Sequence, residues 1–312
     1  MMQGIKNLDG KGKGYLALFI TSVVWGTTWV ASKMGVNEIP PLQMAYIRQL
    51  IAGICFVAFF ILYKKFSIPT FKQFRWIFVM AILMFVFANG LSTWSLKFIP
   101  TGLSALIGAL YPLSVVIIER VFYKSKRMTI LTFIGLFMGI SGVGIVFYEN
   151  AFNSNSLSFG IGLSLSVIAM LSWSFGTIFI ARNKANINPY YGTGWQMLIS
   201  AIILMVIAEA TQPTVPMYEI SLKVWMVILY LVIFGSIISF VAFIYSMKKL
   251  PAAISSLYAY INPLVAMVTA SIVLNEKLTI NILWGAIVTL IGVFLVNYSI
   301  KKSAKVILEP EI

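Results

Sequence analysis

The sequence predicts an all-α integral membrane protein of ten transmembrane helices, arranged as two inverted five-helix repeats with both termini cytoplasmic. Three observations carry that prediction. Of 312 residues, 60% are hydrophobic and only 10% charged, a balance that would give a water-soluble domain an apolar surface, so most outward side chains face lipid. The chain divides into ten apolar stretches of about 20 residues, each long enough to cross ~30 Å of hydrocarbon as a helix. The second half also repeats the first: Lys97, Pro100, Ser104, Leu106, Pro112 and Leu113 recur as Lys248, Pro251, Ser255, Leu257, Pro263 and Leu264, each pair 151 positions apart.

The first repeat covers residues 15–148, after a cytoplasmic tail of residues 1–14 with Lys6, Lys11 and Lys13. Its first span, 15–35, has an apolar run too long for a secretory leader and no small-residue cleavage site after it, so it is read as a retained helix. Trp25 lies near its middle. The second span, 41–63, opens on Pro41, where a missing N–H costs nothing, and holds Arg48, the one basic residue away from the ends of a span. An ionised group about 10 Å from the helix end needs a partner or water. It either meets a substrate carboxylate or clamps Glu276 or a helix C-terminus, and the sequence leaves both readings open. The third span, 75–97, offers Asn89 and Ser92 as polar candidates. The fourth, 100–122, opens on Pro100 and meets Pro112 roughly 18 Å further along, near the midplane. That ring displaces the carbonyl of Gly108. An unpaired carbonyl in hydrocarbon costs several kcal/mol, so the interruption, with Tyr111 beside it, is expected to face other helices or a wet cavity. A kink that only shapes the bundle is the alternative. The fifth span, 128–148, carries Gly135, Gly139 and Gly142, read as close helix packing.

The second repeat covers residues 159–299. In the sixth span, 159–181, Trp173 follows Trp25 by 148 positions; tryptophans this deep either stack on or seal a solute path, or simply pack. The seventh, 189–209, opens on Pro189, the counterpart of Pro41, and holds Gln196. The eighth, 222–247, contributes Ser236 and Ser239. The ninth, 251–273, repeats the two prolines, with the Ala259 carbonyl displaced by Pro263 and with Tyr258, Tyr260 and Asn262 nearby. Tyr258 and Tyr260 point about 200° apart, so at most one faces a cavity squarely; Tyr258 and Asn262, four apart, share a face. The tenth, 279–299, brings Gly285 and Gly292, counterparts of Gly135 and Gly142 at 150 positions. A cytoplasmic tail of residues 300–312 closes the chain.

Five spans per repeat is an odd number, so the second copy enters the membrane from the opposite side. The charges agree. Of 23 basic residues, 18 fall in segments on the side of the N-terminus, four on the other (Lys33, Lys97, Lys223 and Lys277), and Arg48 within a span, which places both termini in the cytoplasm. The net charge of +14 therefore marks membrane orientation, and no nucleic-acid partner is expected. Two copies related by an in-membrane pseudo-twofold axis can open a central site to either side in turn. A few polar groups in an apolar pocket suit a small amphipathic solute; solute and membrane lipid are the expected partners. Histidine is absent and Cys55 is the sole cysteine, so no metal and no cofactor is expected. No phosphate-binding Gly-Lys-Ser/Thr loop is present, and no acidic residue sits at mid-membrane for a proton relay. Facilitated diffusion or exchange follows by elimination. An enzyme would need clustered nucleophiles or acids within the spans, and none is visible. A lipid or lipid-linked metabolite flippase and a non-transporting scaffold remain alternatives.

The segments WGTTWVASK (25–33), PPLQMAYIRQLIAG (40–53), the two proline-bounded helices and LNEKLTINILWGAIVTLIGV (274–293) resemble the ten-helix EamA-type transporters of the drug/metabolite transporter superfamily across residues 15–299. The resemblance implies a transporter of the cytoplasmic (inner) membrane for amino acids or related compounds, with export as the expected direction. One position departs from the family pattern: the glutamate thirteen residues after the second proline is present as Glu276, but Ser125 stands there in the first half.

Overall fold

The computed structural model describes residues 10–123, 128–151, 156–182, 186–250 and 252–308, and among them every regular element is helical. Asp9, Lys124, Ser125, Lys126, Arg127, Lys184 and Pro251 lie outside the described residues. Ten spans follow in order: α1 (Gly10–Val36), α2 (Pro41–Leu62), α3 (Phe71–Ser95), α4 (Thr101–Tyr123), α5 (Ile130–Ala151), α6 (Ser156–Arg182), α7 (Pro189–Thr211), α8 (Leu222–Lys249), α9 (Ala252–Ser255 and Tyr258–Leu274) and α10 (Ile280–Leu308). Nine of these are long and apolar enough to cross a membrane, and α9 contributes a shorter apolar helix. The chain is a ten-helix membrane protein. Helix α1 begins inside the stretch expected as a tail, and α10 runs beyond residue 299.

Local chemistry fixes several starts. Thr70 and Gln73 form a reciprocal capping box on α3, the Asn188 side chain accepts the N–H groups of Tyr190 and Tyr191 on α7, and Ser221 accepts that of Val224 on α8; each satisfies donors a helix start leaves orphaned. Within α3 and α8 the turns widen to π-helix over Ala81–Gly90 and Leu231–Ile238, segments whose first residues lie 150 apart. Such turns loosen the backbone ladder and occur preferentially at functional sites.

Helix α4 breaks between Gly108 and Tyr111, just before Pro112, as expected. Helix α9 differs. Its break comes at Ser256–Leu257, where the N–H groups of Leu257, Ala259 and Tyr260 bond three residues back, and Pro263 stands inside the continuous helix that follows. A tight 3₁₀ turn therefore interrupts α9 upstream of the ring, which removes only one bond from the helix it occupies.

Contacts between helices show the repeat and its inversion. Counterpart helices pack on each other, α2 on α7 and α5 on α10, while α1 lies on α8 and α9 just as α6 lies on α3 and α4. A Cβ added at Gly135 would lie 2.7 Å from the Gly292 carbonyl, and one at Gly285 would lie 2.7 Å from the Gly142 carbonyl; the repeat offset turns one contact into the other. Gly53 meets Leu198 and Gly194 meets Phe56, so one number falls as the other rises and α2 runs antiparallel to its counterpart α7. Gly14 abuts Leu250, and its counterpart Gly162 abuts Ile99. The Ser95–Ser104 hydroxyl pair at 3.0 Å reappears as the Ser255 hydroxyl donating to the Ser246 carbonyl at 3.2 Å.

Candidate functional site

Helices α1, α3, α4, α6 and α9 enclose a cavity of about 170 Å³, to which α2 adds Arg48 and α8 adds Phe240. Toward the end of the bundle that holds Gly14 and Leu250, aromatic rings fill the space. Trp25 is at their centre, with its ring 6.2 Å from Trp173, 5.2 Å from Phe240, 5.1 Å from Phe243 and 5.4 Å from Tyr258, and Tyr111 stacks on Tyr258 at 5.9 Å. The Trp25 indole N–H donates to the Gly235 carbonyl of the α8 π-segment at 3.0 Å.

Toward the other end the wall turns polar, with Asn89, Ser92, Ser104 and Ser166. At the local offset of 151, Asn89 and Ser92 are the counterparts of Phe240 and Phe243. One half fills these positions with rings and the other with small polar groups, which leaves the void in one half of the bundle's depth. Beyond it, Glu276 accepts the Thr101 N–H at 2.9 Å, the Thr101 hydroxyl at 2.6 Å and the Gly102 N–H at 3.4 Å, capping α4. The Lys33 ammonium donates to the carbonyls of Leu96 and Ile99. The sequence alternative in which Arg48 clamps Glu276 is therefore not what the structure shows.

Arg48 is 6% exposed. Its Nε donates to the Ser236 hydroxyl at 2.8 Å, and a Cβ added at Gly235 would lie 3.1 Å from Nη2, so the absence of a side chain there makes room for the guanidinium. Among the described residues no carboxylate lies within ion-pair distance of it; the two ion pairs found, Arg182–Glu119 at 3.4 Å and Lys223–Glu38 at 2.9 Å, are on exposed surfaces. Two asparagines are held in fixed orientations. The Trp29 indole N–H donates to Asn262 Oδ1 at 2.8 Å. Gln49 Nε2 donates to Asn89 Oδ1 at 3.0 Å and also to the Phe85 carbonyl. Because an indole N–H and a backbone carbonyl each play one role only, these bonds settle which amide atom is oxygen and leave each asparagine's NH₂ as a donor beside the cavity.

Among the residues proposed from sequence, Trp25, Arg48, Asn89, Ser92 and Tyr111 line the cavity, as do Trp173, Tyr258 and Asn262. Gly108, Ala259 and Pro263 of the interrupted helices also reach it, whereas Pro112 is buried away from it. Gln196 and Ser239 do not line it. Helix α7 buries Gly194 against Phe56 and Ser200 against Gln49 of α2 and Leu204 against Gly90 of α3, and Gln196 is not among its buried residues. The Ser239 hydroxyl instead donates at 2.7 Å to the Phe234 carbonyl, five residues back, a bond the π-turn opens. Tyr260 turns away and donates to the Val293 carbonyl of α10 at 3.2 Å. The structure adds Trp29, Thr28, Ser32, Ser104, Ser166 and Met170 to the lining. Trp29 carries a signal, since it follows Trp25 by one helical turn on the same face; Ser104 is marked only by its repeat counterpart Ser255, and Ser32 and Ser166 by nothing.

Comparison with known proteins follows the same outline. The EamA-like transporter family matches residues 12–148 and again residues 160–298. The uncharacterized transporter YoaV of Bacillus subtilis (strain 168) is 25% identical over 291 residues, covering 93% of this chain and 98% of its own. The uncharacterized inner membrane transporter YedA of Escherichia coli (strain K12) is 30% identical over 267 residues, covering 84% and 83%. A solved crystal structure shares the fold with a TM-score of 0.65 at 16% identity, over 92% of this chain and 97% of that one.

Proposed function

The chain belongs to the EamA-like transporter family, and from that premise we propose that it is a secondary transporter carrying a small amphipathic metabolite across the cytoplasmic membrane by alternating access. One observation carries this reading: a cavity lined by rings and a few oriented polar groups lies where two inverted five-helix units meet. With the basic segments cytoplasmic, its ring-filled end faces the cytoplasm and its polar end faces outward. Among the described residues no acidic side chain lines the cavity, which favours facilitated diffusion or exchange over a proton relay. Amino acids or related compounds, moved outward, are the solutes to try first.

Uptake of labelled amino acids and other metabolites into proteoliposomes of the purified protein, with and without a pH gradient, tests this. Saturable uptake that equilibrates without the gradient is expected. Accumulation driven by a pH gradient alone would overturn the uncoupled mechanism, and no saturable flux of any solute in the panel would overturn the carrier reading.

A further inference from the structure

We propose that the cavity is an anion site, in which Arg48 docks the carboxylate of a small flat organic acid that carries no ammonium group. This rests on the carrier reading but sets aside the amino acids named above in favour of one charge class, organic anions with no ammonium group.

Three features of the wall converge. First, charge: of the described residues lining the cavity, Arg48 alone carries a full charge at neutral pH, and a guanidinium stays protonated in a protein. A cation this deep and without a carboxylate is unfavourable unless water or an anion reaches it. The Ser236 hydroxyl engages only Nε, so the two terminal nitrogens, the fork that matches a carboxylate edge, are left to a ligand. Second, donors: the locked amides of Asn89 and Asn262 present N–H groups, not oxygens, to the same space. A site of one cation and two oriented donors, with no carboxylate in its lining, complements an anion and gives an α-ammonium no counter-charge. Third, shape and size: Trp25, Trp173, Tyr111 and Tyr258 bound the cavity with ring surfaces. A void of about 170 Å³ is close to the ~150 Å³ that holds one benzene, so a single ring with a carboxylate is the size it fits.

The repeat supports reading Arg48 as functional. Its counterpart at the offset of 148 is Gln196, which does not line the cavity. The fold needs no arginine at that position, since the inverted copy is built without one. The cation belongs to the site and not to the architecture.

The inference also gives the transport a driving force. Moving a monovalent anion through the site carries one negative charge, so an inside-negative membrane potential drives export, by tenfold in concentration for each ~59 mV, without any coupled ion.

The probe is benzoate, with benzamide as its uncharged isostere and phenylalanine as the zwitterion. Binding is read by quenching of tryptophan fluorescence, since Trp25, Trp29 and Trp173 line the cavity; flux is read in proteoliposomes under potassium diffusion potentials. In the wild-type protein benzoate is expected to bind at least tenfold more tightly than benzamide or phenylalanine, and an inside-positive potential to accumulate it by the tenfold step above. Arg48→Gln, which installs the residue of the other repeat, should lower benzoate affinity at least tenfold and benzamide affinity by much less, so that the preference for benzoate is lost. Equal wild-type affinity for benzoate and benzamide, tighter binding of phenylalanine, or benzoate flux indifferent to potential would each overturn the inference. The first comparison needs no variant and so survives misfolding of Arg48→Gln. Arg48-dependent benzoate binding without flux of any solute would uphold the anion site and overturn the carrier reading.

Discussion

Replacing Gly292 with alanine should lower the melting temperature by roughly 6 °C, while the same change at Gly144, on the helix it packs against, should not. A Cβ at Gly292 would lie 2.3 Å from the Gly139 nitrogen and 2.5 Å from the Gly135 carbonyl oxygen, both backbone atoms that cannot rotate aside. Relief to an ordinary contact distance requires α5 and α10 to separate by about 1 Å at their crossing, where close approach of small residues is the main source of attraction between membrane helices. Overpacking of this kind costs about 1–3 kcal/mol, and at ~2–4 °C per kcal/mol for a chain of a few hundred residues the centre of that range gives the stated shift. Gly144 has nothing within 4 Å of its would-be side chain, so alanine there should be neutral or slightly stabilising through helix propensity. Thermal unfolding in detergent, followed by tryptophan fluorescence, measures both. Benzoate affinity should be unchanged in both, because α5 and α10 do not line the cavity. Equal losses at the two positions, or no loss at Gly292, would refute the claim that these helices touch through backbone.

Glu276→Gln keeps the shape of the α4 cap but removes the charge that accepts two N–H groups and a hydroxyl; a loss of about 1 kcal/mol should appear as a small fall in melting temperature, with Glu276→Ala falling further. The Arg182–Glu119 pair has about 40% of each side chain exposed, and exposed pairs contribute little, so Glu119→Gln should leave the melting temperature within about 1–2 °C of wild type.

The fold was legible because its markers are backbone breakers and large rings whose spacing survives duplication: Pro112 and Pro263, Trp25 and Trp173, Gly135 and Gly285. What those markers could not give was helix rotation. Helices apolar on all sides have no polar face to read, so Gln196 and Ser239 were as plausible as Asn89 and Ser92. The π-turns of α8 then shift every residue after them relative to a regular helix, and Ser239 lies just past that segment. The break in α9 was misplaced for a related reason. No proline or glycine marks Ser256–Leu257, and a 3₁₀ turn forms there from hydrogen bonds that residue types do not announce. Arg48 stands out in the sequence as a basic residue deep within a span, but only the structure shows that Glu276 is engaged on α4 and that Arg48 lines the cavity.

The mirrored positions that carry Phe240 and Phe243 in one half and Asn89 and Ser92 in the other make the two halves unequal as moving parts. For a carrier of the proposed kind, swapping access means pulling Trp25 away from the four rings it touches, at ~0.5–1.5 kcal/mol each beyond the area exposed, while the polar side closes with no comparable reward. At ~1.4 kcal/mol per tenfold, such a carrier, when empty, spends between about 30 and about 20,000 times longer in one posture than in the other. Its resting stance is thus written into a handful of side chains, and a bound solute must repay that imbalance before the cycle can turn.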